Sequence, residues 1–377
     1  MRLARLSSYR WSLVLLFVTS AAVAEPGVRA RDLGLAPGKG TVGPLNAITD
    51  VPGVAVGQVT LIEGETIRTG ATVVLPHTGN LYQSKVPAGL AVMNGYGKLA
   101  GSTQLRELGE IETPIALTNT LAVAAGMRAL IDWTLKQPGN EAVRSVNAVV
   151  GETNDGYLNA IRSPMLTDTH VAEALAAAAT GPIAEGSVGA GTGTVTLGWK
   201  GGIGTSSRVV QPWTIGVLVQ TNFGGTLVMD GIPVGRELAE LGLAAHSPGQ
   251  TAEYGSIMIV IATDAPLSSR NLERLARRSF AGLARTGASF SNGSGDYAIA
   301  FSNATTVRGD QRSAVTLANS AMSPLFLAVA DATEEAILNA LLSATDIQSR
   351  DEVTRVERTV EALPIDAVRG ILERYRR

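Results

Sequence analysis

The hydrophobic positions of this chain fall into short runs separated by glycine, proline and polar residues. Runs rich in β-branched residues predict strands at 53–57, 71–75, 146–150, 214–220 and 297–301. The run Ser256–Thr263 is apolar without alternation, which predicts a strand that is buried on both faces. It follows directly on a polar, turn-prone loop at 244–253. The change from loop to buried strand at Gly255-Ser256 is therefore the first feature of interest.

Helical periodicity predicts the remaining regular elements. Apolar residues on a repeating face predict helices at 118–136, 170–180, 272–283, 324–344 and up to about Tyr375. Residues 25 to about 45, rich in Gly, Pro and Arg, predict an extended arm. Strand and helix blocks mix without strict βαβ alternation, which favours an α+β fold whose helices cover sheets.

The N-terminal segment has the pattern of a secretory signal peptide. Three arginines precede an apolar stretch from Trp11 to Ala24, and Ala22-Val23-Ala24 supplies small residues ahead of Glu25. The alternative is a membrane anchor, but about 14 apolar residues fall short of the roughly 20 that span a bilayer. We therefore expect a signal peptide at 1–24, cleavage after Ala24 and export, to the periplasm if the source is bacterial.

Composition excludes several kinds of chemistry. The 377 residues carry a formal net charge of −2, which gives no reason to expect nucleic acid or an anionic membrane as partner. Absence of cysteine excludes disulfides, thiolate metal sites and a cysteine nucleophile. His77, His170 and His246 are scattered without metal-ligand spacing, and no G-x-S-x-G elbow accompanies them. We expect structural or solvated histidines, no metal and no Ser-His-Asp triad.

The pair Gly255-Ser256 suits an N-terminal nucleophile enzyme. Glycine tolerates backbone strain at the scissile bond, and the Ser256 hydroxyl can attack the carbonyl before it. An N-to-O acyl shift followed by hydrolysis would free the Ser256 α-amine. An α-amine with a pKa of roughly 7.7–8.0 can act as the general base without a histidine. An ordinary Gly-Ser before a strand is the alternative, and the pair alone does not exclude it.

A wider set of motifs resembles one peptidase family. The segment Tyr254–Leu267 is similar to the cleavage region of the DmpA-type peptidases, which include L-aminopeptidase D-amidase/D-esterases and β-peptidyl aminopeptidases. Further segments that match this family, in the expected order, are 47–54, 68–70, 151–156, 189–193, 201–207 and 222–224. The resemblance covers nearly all of the chain after the N-terminal segment.

The resemblance implies a fold and an assembly. It implies a four-layer αββα sandwich, one catalytic domain self-cleaved into an α chain, 25–255, and a β chain, 256–377. It also implies a homo-oligomer of αβ units, with no metal or cofactor. The reaction would be transfer of an acyl group from an amide or ester at a substrate's free N-terminus to Ser256, and then to water.

The same resemblance implies assistants for the nucleophile. A second serine and an acidic residue two positions later match Ser294 and Asp296, in the run Asn292–Tyr297. Ser294 would hydrogen-bond the Ser256 hydroxyl or amine. Asp296 would orient Ser294 and hold the α-ammonium. The alternative is a glycine-rich turn before a strand.

Three polar residues are candidates for contacts with substrate. Asn222 follows an apolar strand, and its amide could stabilise a tetrahedral oxyanion; it could equally be a turn residue. Glu152 could bind the substrate ammonium, with Asn154 beside it, or both could serve a turn or helix cap. Lys98 departs from the family, where an acidic residue is expected. A family substrate contact at that position is therefore in doubt.

Two rivals differ from this hydrolase in class or chemistry. An exported binding or scaffold protein would never cleave itself and would use the pocket only to hold a ligand. The acetyltransferase of arginine biosynthesis has a related fold but uses threonine at the cut, and Ser256 and the signal peptide oppose it. Preference for L-, D- or β-aminoacyl substrates stays open.

Overall fold

The computed structural model describes residues 27–243, 245, 254–309 and 316–376. The predicted signal peptide, His246 and the loop residues before Tyr254, apart from Ala245, lie outside the described residues. The strands are β1 Ala55–Glu63, β2 Ile67–Leu75, β3 Val86–Gly95, β4 Leu99–Ala100, β5 Glu110–Ile111, β6 Ile115–Asn119, β7 Val149–Thr153, β8 Val195–Thr196, β9 Trp199–Lys200, β10 Ile203–Val210, β11 Trp213–Asn222, β12 Tyr254–Thr263, β13 Gly293–Ser302, β14 Ile347–Arg350 and β15 Glu357–Val360.

The α-helices are α1 Ser102–Glu107, α2 Val123–Leu135, α3 Asp168–Ala176, α4 Val234–Glu240, α5 Ser269–Arg285, α6 Ser323–Leu342 and α7 Ile365–Tyr375. Among the helices of the described residues, none has the length and apolar composition needed to cross a membrane. The helices and strands together confirm the mixed α+β class.

Two sheets organise the fold. One has the strand order β10-β11-β12-β13-β3-β5, and the other β1-β2-β6-β7-β4. Strand β12 is central in the first sheet, antiparallel to β11 and parallel to β13. The hairpins β8-β9 and β14-β15 form two small separate sheets.

Strand β12 is buried on both faces because its two sets of alternating residues join different cores. Ile257, Ile259 and Ile261 join a cluster with side chains of α5 and α6. Met258 and Val260 join a second cluster, which combines side chains of both sheets. A third cluster joins the five-stranded sheet to α2 and α3. The prediction of a doubly buried strand is confirmed.

The predicted helix at 118–136 is wrong at its start. Thr118 and Asn119 belong to β6, where they pair with β7 in parallel. The Asn119 side chain then accepts hydrogen bonds from Leu121 N at 3.1 Å and Ala122 N at 3.0 Å. This cap ends the strand and starts a short 3₁₀ turn, so the helix α2 begins only at Val123.

The predicted extended arm is anchored by charge. It contains a 3₁₀ turn, Ala30–Leu33, and its Arg31 forms an ion pair of 2.7 Å with Glu335 of α6. Arg208 of β10 reaches the other oxygen of that carboxylate at 2.6 Å. Because Glu335 is fully buried, its charge requires a cation beside it, and Arg31 and Arg208 each supply one. The arm is thereby fixed against a helix near the other end of the chain.

Candidate active site

Ser256 lies at the start of the buried part of β12, between two partner strands. Its register partners are Asn222 on β11 and Gly295 on β13. The Ser256 hydroxyl donates a short hydrogen bond to the carbonyl oxygen of Gly255, and it accepts one from Gly295 N at 3.3 Å. The hydroxyl therefore lies directly against the carbonyl group of the peptide bond that it would attack.

Gly255 is held where a side chain has little room. A β carbon there would lie 3.2 Å from the Cα of Phe223 and 3.3 Å from Ser294 Oγ. The Phe223 contact is with backbone, which cannot move aside as a flexible side chain would. The close approach explains why glycine precedes the nucleophile.

Ser294 and Asp296 form a buried pair beside Gly255. Ser294 Oγ donates to Asp296 Oδ1 at 2.6 Å, while Asp296 Oδ2 is buried without a hydrogen-bond partner. Burial raises the pKa of Asp296, and the bond from Ser294 opposes that rise. Both residues lie within strand β13, so the alternative of a turn before the strand is wrong.

The strand register decides which part of the nucleophile Ser294 meets. Ser294 pairs with Gly255, one residue before Ser256. Because side chains alternate between the faces of a sheet, the side chains of Ser294 and Ser256 leave on opposite faces. Ser294 therefore lies next to Gly255, while the Ser256 hydroxyl contacts Gly255 O and Gly295 N.

The amide of Asn222 is fixed by two hydrogen bonds. Its Oδ1 accepts from Val195 N at 3.0 Å, and its Nδ2 donates to Asn154 O at 3.0 Å. A primary amide has two N–H groups, so one remains for a further acceptor. Since Asn222 is opposite Ser256 in the sheet, that group is placed on the same face as the nucleophile.

Glu152 reaches the same region from the five-stranded sheet. The carboxylate is buried and accepts from Lys98 N at 2.9 Å and, by a short bond, from the Thr120 hydroxyl. A β carbon on Gly97 would lie 3.3 Å from both Glu152 Oε1 and Gly295 Cα. Gly97 therefore lies between the Glu152 carboxylate and Gly295, the β13 residue that pairs with Ser256.

Asn154 joins the site through its backbone. Its carbonyl holds Asn222, while its exposed side chain accepts from Gly156 N at 2.9 Å in a tight turn. The turn role that was the alternative for this residue is thus present. The structure brings together Ser256, Gly255, Ser294, Asp296, Asn222 and Glu152.

Sequence reasoning missed a buried lysine behind Asn222. Lys200 is fully buried, and its ammonium donates to Gly191 O at 2.8 Å and Gly201 O at 2.7 Å. It pairs across the β8-β9 hairpin with Val195, whose N–H orients the Asn222 amide. Burial lowers the pKa of Lys200 to about 7. A lysine among glycines, in Trp199–Gly202, is the signal that could have revealed it.

Asp155 is a second buried group that was missed. Its carboxylate accepts from Thr69 Oγ1 at 2.6 Å and from Asn159 Nδ2 at 3.0 Å. Burial raises the pKa of Asp155 to about 7, against the effect of these bonds. These bonds fix the turn that follows Glu152, and with it the Asn154 carbonyl that holds Asn222.

The two described histidines have local roles. His77 Nε2 lies 2.9 Å from the Ser84 carbonyl, and burial lowers the pKa of this imidazole. His170 Nδ1 accepts from Thr167 N at 3.2 Å at the start of α3.

Within residues 27–243, 245, 254–309 and 316–376, no group of His, Asp and Glu is arranged to hold a metal ion.

Solved structures share this fold. A Burkholderia β-aminopeptidase matches with a TM-score of 0.84 and 41% identity, covering 92% of this chain and 99% of that one. The L-aminopeptidase D-Ala-esterase/amidase of Ochrobactrum anthropi, described as a prototype of serine aminopeptidases and a variant of the Ntn hydrolase fold, matches with a TM-score of 0.83 and 37% identity, covering 93% and 99%. The class is therefore that of Ntn-type serine aminopeptidases.

The family follows from sequence. The model of peptidase family S58 matches residues 46–355. The β-peptidyl aminopeptidase BapA of Sphingosinicella microcystinivorans is 42% identical over 96% of this chain and 96% of that protein. The chain belongs to peptidase family S58. The resemblance drawn from the motifs is confirmed, and with it the expectation of a serine aminopeptidase.

Proposed function

We propose that this aminopeptidase matures by cutting its own Gly255–Ser256 bond and then uses the Ser256 hydroxyl as nucleophile. The observation that carries the proposal is the contact between the Ser256 hydroxyl and the Gly255 carbonyl. The hydroxyl oxygen attacks the carbonyl carbon, and the C–N bond breaks as the nitrogen takes up a proton. Water then hydrolyses the ester, which leaves a Gly255 carboxylate and a free Ser256 amine.

Turnover repeats this chemistry on a substrate. The freed amine accepts the proton of the Ser256 hydroxyl as that hydroxyl attacks the substrate carbonyl. The position of Ser294 Oγ against Gly255 supports the pair Ser294–Asp296 as the group that binds the amine. The second N–H of Asn222 stabilises the oxyanion of the tetrahedral intermediate. The acyl group then passes from Ser256 to water.

The carboxylate of Glu152 is the proposed binding group for the free ammonium of the substrate. It is buried, close to Gly295, and held by Lys98 N and the Thr120 hydroxyl. Its position restricts the enzyme to substrates with a free N-terminus, whether the residue is an α-L, D or β amino acid. The substrate would be a peptide, an aminoacyl amide or an ester.

The variant Glu152→Gln tests this contact. It keeps the shape of the side chain but removes the charge, so kcat/KM for an aminoacyl amide should fall by about tenfold or more, since a hydrogen bond between charged groups contributes roughly 1.5–3 kcal/mol. The N-acetylated amide should be hydrolysed at least about 100-fold more slowly than the free amine by the wild-type enzyme, because an unpaired buried carboxylate adds its own cost. Steady-state kinetics on the matched substrate pair measures both effects.

A surface glutamate provides the control for that variant. Glu141 lies in an exposed turn away from the site, so the variant Glu141→Gln should leave both rates unchanged. Equal rates on free and acetylated substrates would identify a general amidase. An unchanged preference in Glu152→Gln would assign the ammonium contact to another group.

We further propose three features of the mature protein. The three hydrophobic clusters support a four-layer αββα order, with α5 and α6 on one outer face and α2 and α3 on the other. The basic and apolar N-terminal pattern supports export after cleavage at Ala24. Exposed Met93 and Leu108 support a homo-oligomer of αβ units, which light scattering of the pure protein would detect.

A further inference from the structure

Lys98 brings a positive charge to the carboxylate that would bind the substrate ammonium. Its Nζ lies 4.0 Å from Glu152 Oε1, and its backbone N–H donates to the same oxygen at 2.9 Å. The Lys98 side chain is 57% exposed, whereas that of Glu152 is 2% exposed. The carboxylate is therefore fixed, and the ammonium beside it is free to turn toward a ligand.

The loop that carries Lys98 is attached to β13, the strand beside that of Ser256. Tyr96 N donates to Ser294 O at 3.1 Å, and a β carbon on Gly295 would lie 3.0 Å from Gly97 Cα. Burial raises the pKa of Tyr297 in the same strand, and a hydrogen bond with the Gly97 backbone opposes that rise. Lys98 is thus held at the site by backbone contacts.

The charges of the site favour a substrate that carries a carboxylate. An aminoacyl substrate with an uncharged side chain brings one ammonium to a position that already has Glu152 and Lys98. The three charges then sum to one uncompensated positive charge. A substrate with an additional carboxylate leaves none. Uncompensated charge is costly once the substrate excludes water, so the acidic substrate is bound better.

The spacing indicates where on the substrate that carboxylate lies. Glu152 Oε1 and Lys98 Nζ are neighbours, so the matching ligand carries its ammonium and carboxylate on one carbon atom. In a β-linked aspartyl residue both groups are on Cα, and the carbonyl open to attack is at Cγ. In an α-linked aspartyl residue the carboxylate is one carbon further from the amine.

We propose that Lys98 adapts this enzyme to N-terminal β-linked aspartyl residues, with the ammonium on Glu152 and the α-carboxylate on Lys98. The proposal rests on the proposed ammonium contact of Glu152. The acyl group formed on Ser256 is then the β-aspartyl group, and hydrolysis releases aspartate and the amine of the next residue. Such a residue is also a β-amino acid, in agreement with the names of the β-peptidyl relatives.

The test compares kcat/KM for the p-nitroanilides of β-aspartate, α-aspartate and β-alanine. The wild-type enzyme should prefer the β-aspartyl substrate over the β-alanyl one by about tenfold or more, as a charge-assisted hydrogen bond allows. Lys98→Met should lose about tenfold on the β-aspartyl substrate and gain on the β-alanyl one, since the cation no longer repels its ammonium. Lys98→Arg should retain most of the preference. The exposed Lys136→Met is the matched control and should change neither rate.

The outcomes separate this inference from the proposed function. An equal preference in the wild type and Lys98→Met, or a wild-type preference for β-alanyl or α-aspartyl substrates, would overturn the role of Lys98 while the aminopeptidase mechanism stands. No hydrolysis of any free-amine substrate would overturn the proposed function itself. The preference should also shrink between about 0.05 M and 1 M salt, because screening weakens a half-exposed ion pair.

Discussion

Replacing Ser256 by alanine should give one uncut polypeptide with no hydrolytic activity. The wild type should give two bands on denaturing electrophoresis, and the smaller should begin Ser-Ile-Met-Ile on N-terminal sequencing. Alanine removes the oxygen that lies against the Gly255 carbonyl, so neither the acyl shift nor the acyl-enzyme can form. This single change therefore abolishes maturation and turnover together.

Two comparisons make the Ser256→Ala result specific. Ser279→Ala also removes a buried hydroxyl, but one that donates to Ala276 O inside α5, so it should be cut and active. Ser256→Thr keeps a hydroxyl and should be cut slowly. A fully active wild-type protein that remains a single chain would refute the mechanism. An uncut and inactive wild type would instead favour the binding-protein alternative.

Ser294→Ala and Asp296→Asn should each lower the turnover number by about 10²–10⁴-fold, the range that positioned proton-transfer groups contribute. Ser294→Ala removes the hydroxyl beside the scissile glycine, and Asp296→Asn keeps the size of the side chain but not its charge. Both should also slow the appearance of the two chains. Time courses of cleavage and steady-state kinetics of the fraction that is cut measure these effects separately.

Stability measurements decide whether these losses are catalytic. Urea denaturation of the uncut forms should show a loss of no more than about 1–3 kcal/mol for each variant, the cost of one unsatisfied buried polar group. Ser279→Ala, which removes a comparable buried hydroxyl, should show a similar loss but normal rates. Near-normal turnover in both Ser294→Ala and Asp296→Asn would exclude the pair from the site.

The parts of the fold that could be predicted from sequence are those fixed by local pattern. The uninterrupted apolar run of β12 predicts a doubly buried strand. The repeating apolar face at 272–283 predicts α5 as a helix that covers a sheet. The start of α2 could not be predicted this way, because Thr118 favours a strand whereas Asn119 does not, so local preference does not decide the boundary. Their pairing with β7, more than 30 residues away, decides that they form a strand.

The residues of the candidate site also divide into those that local motifs predicted and those that only long-range contacts reveal. The motifs located Ser256 and the residues around it, but not the groups that hold them. The β8-β9 hairpin brings Lys200 opposite Val195, whose N–H holds Asn222, and the Lys200 ammonium binds Gly191 O. Asp155, in the turn that follows Glu152, is held by Thr69, a residue on another strand. Such contacts join distant parts of the chain, and no periodicity or spacing in the sequence records them.

The strand order of the six-stranded sheet has a consequence for the unfolding of the mature enzyme. Strands β12 and β13 lie between β11 and β3, so segments from after the cut are inserted between segments from before it. While the chain is intact, unfolding can be reversed by one molecule alone. After the proposed cut, the unfolded state would be two separate polypeptides, and refolding would need them to meet again. The proposed cleavage would thus make refolding depend on protein concentration, and in dilute solution the lifetime of the enzyme would be set by its unfolding rate.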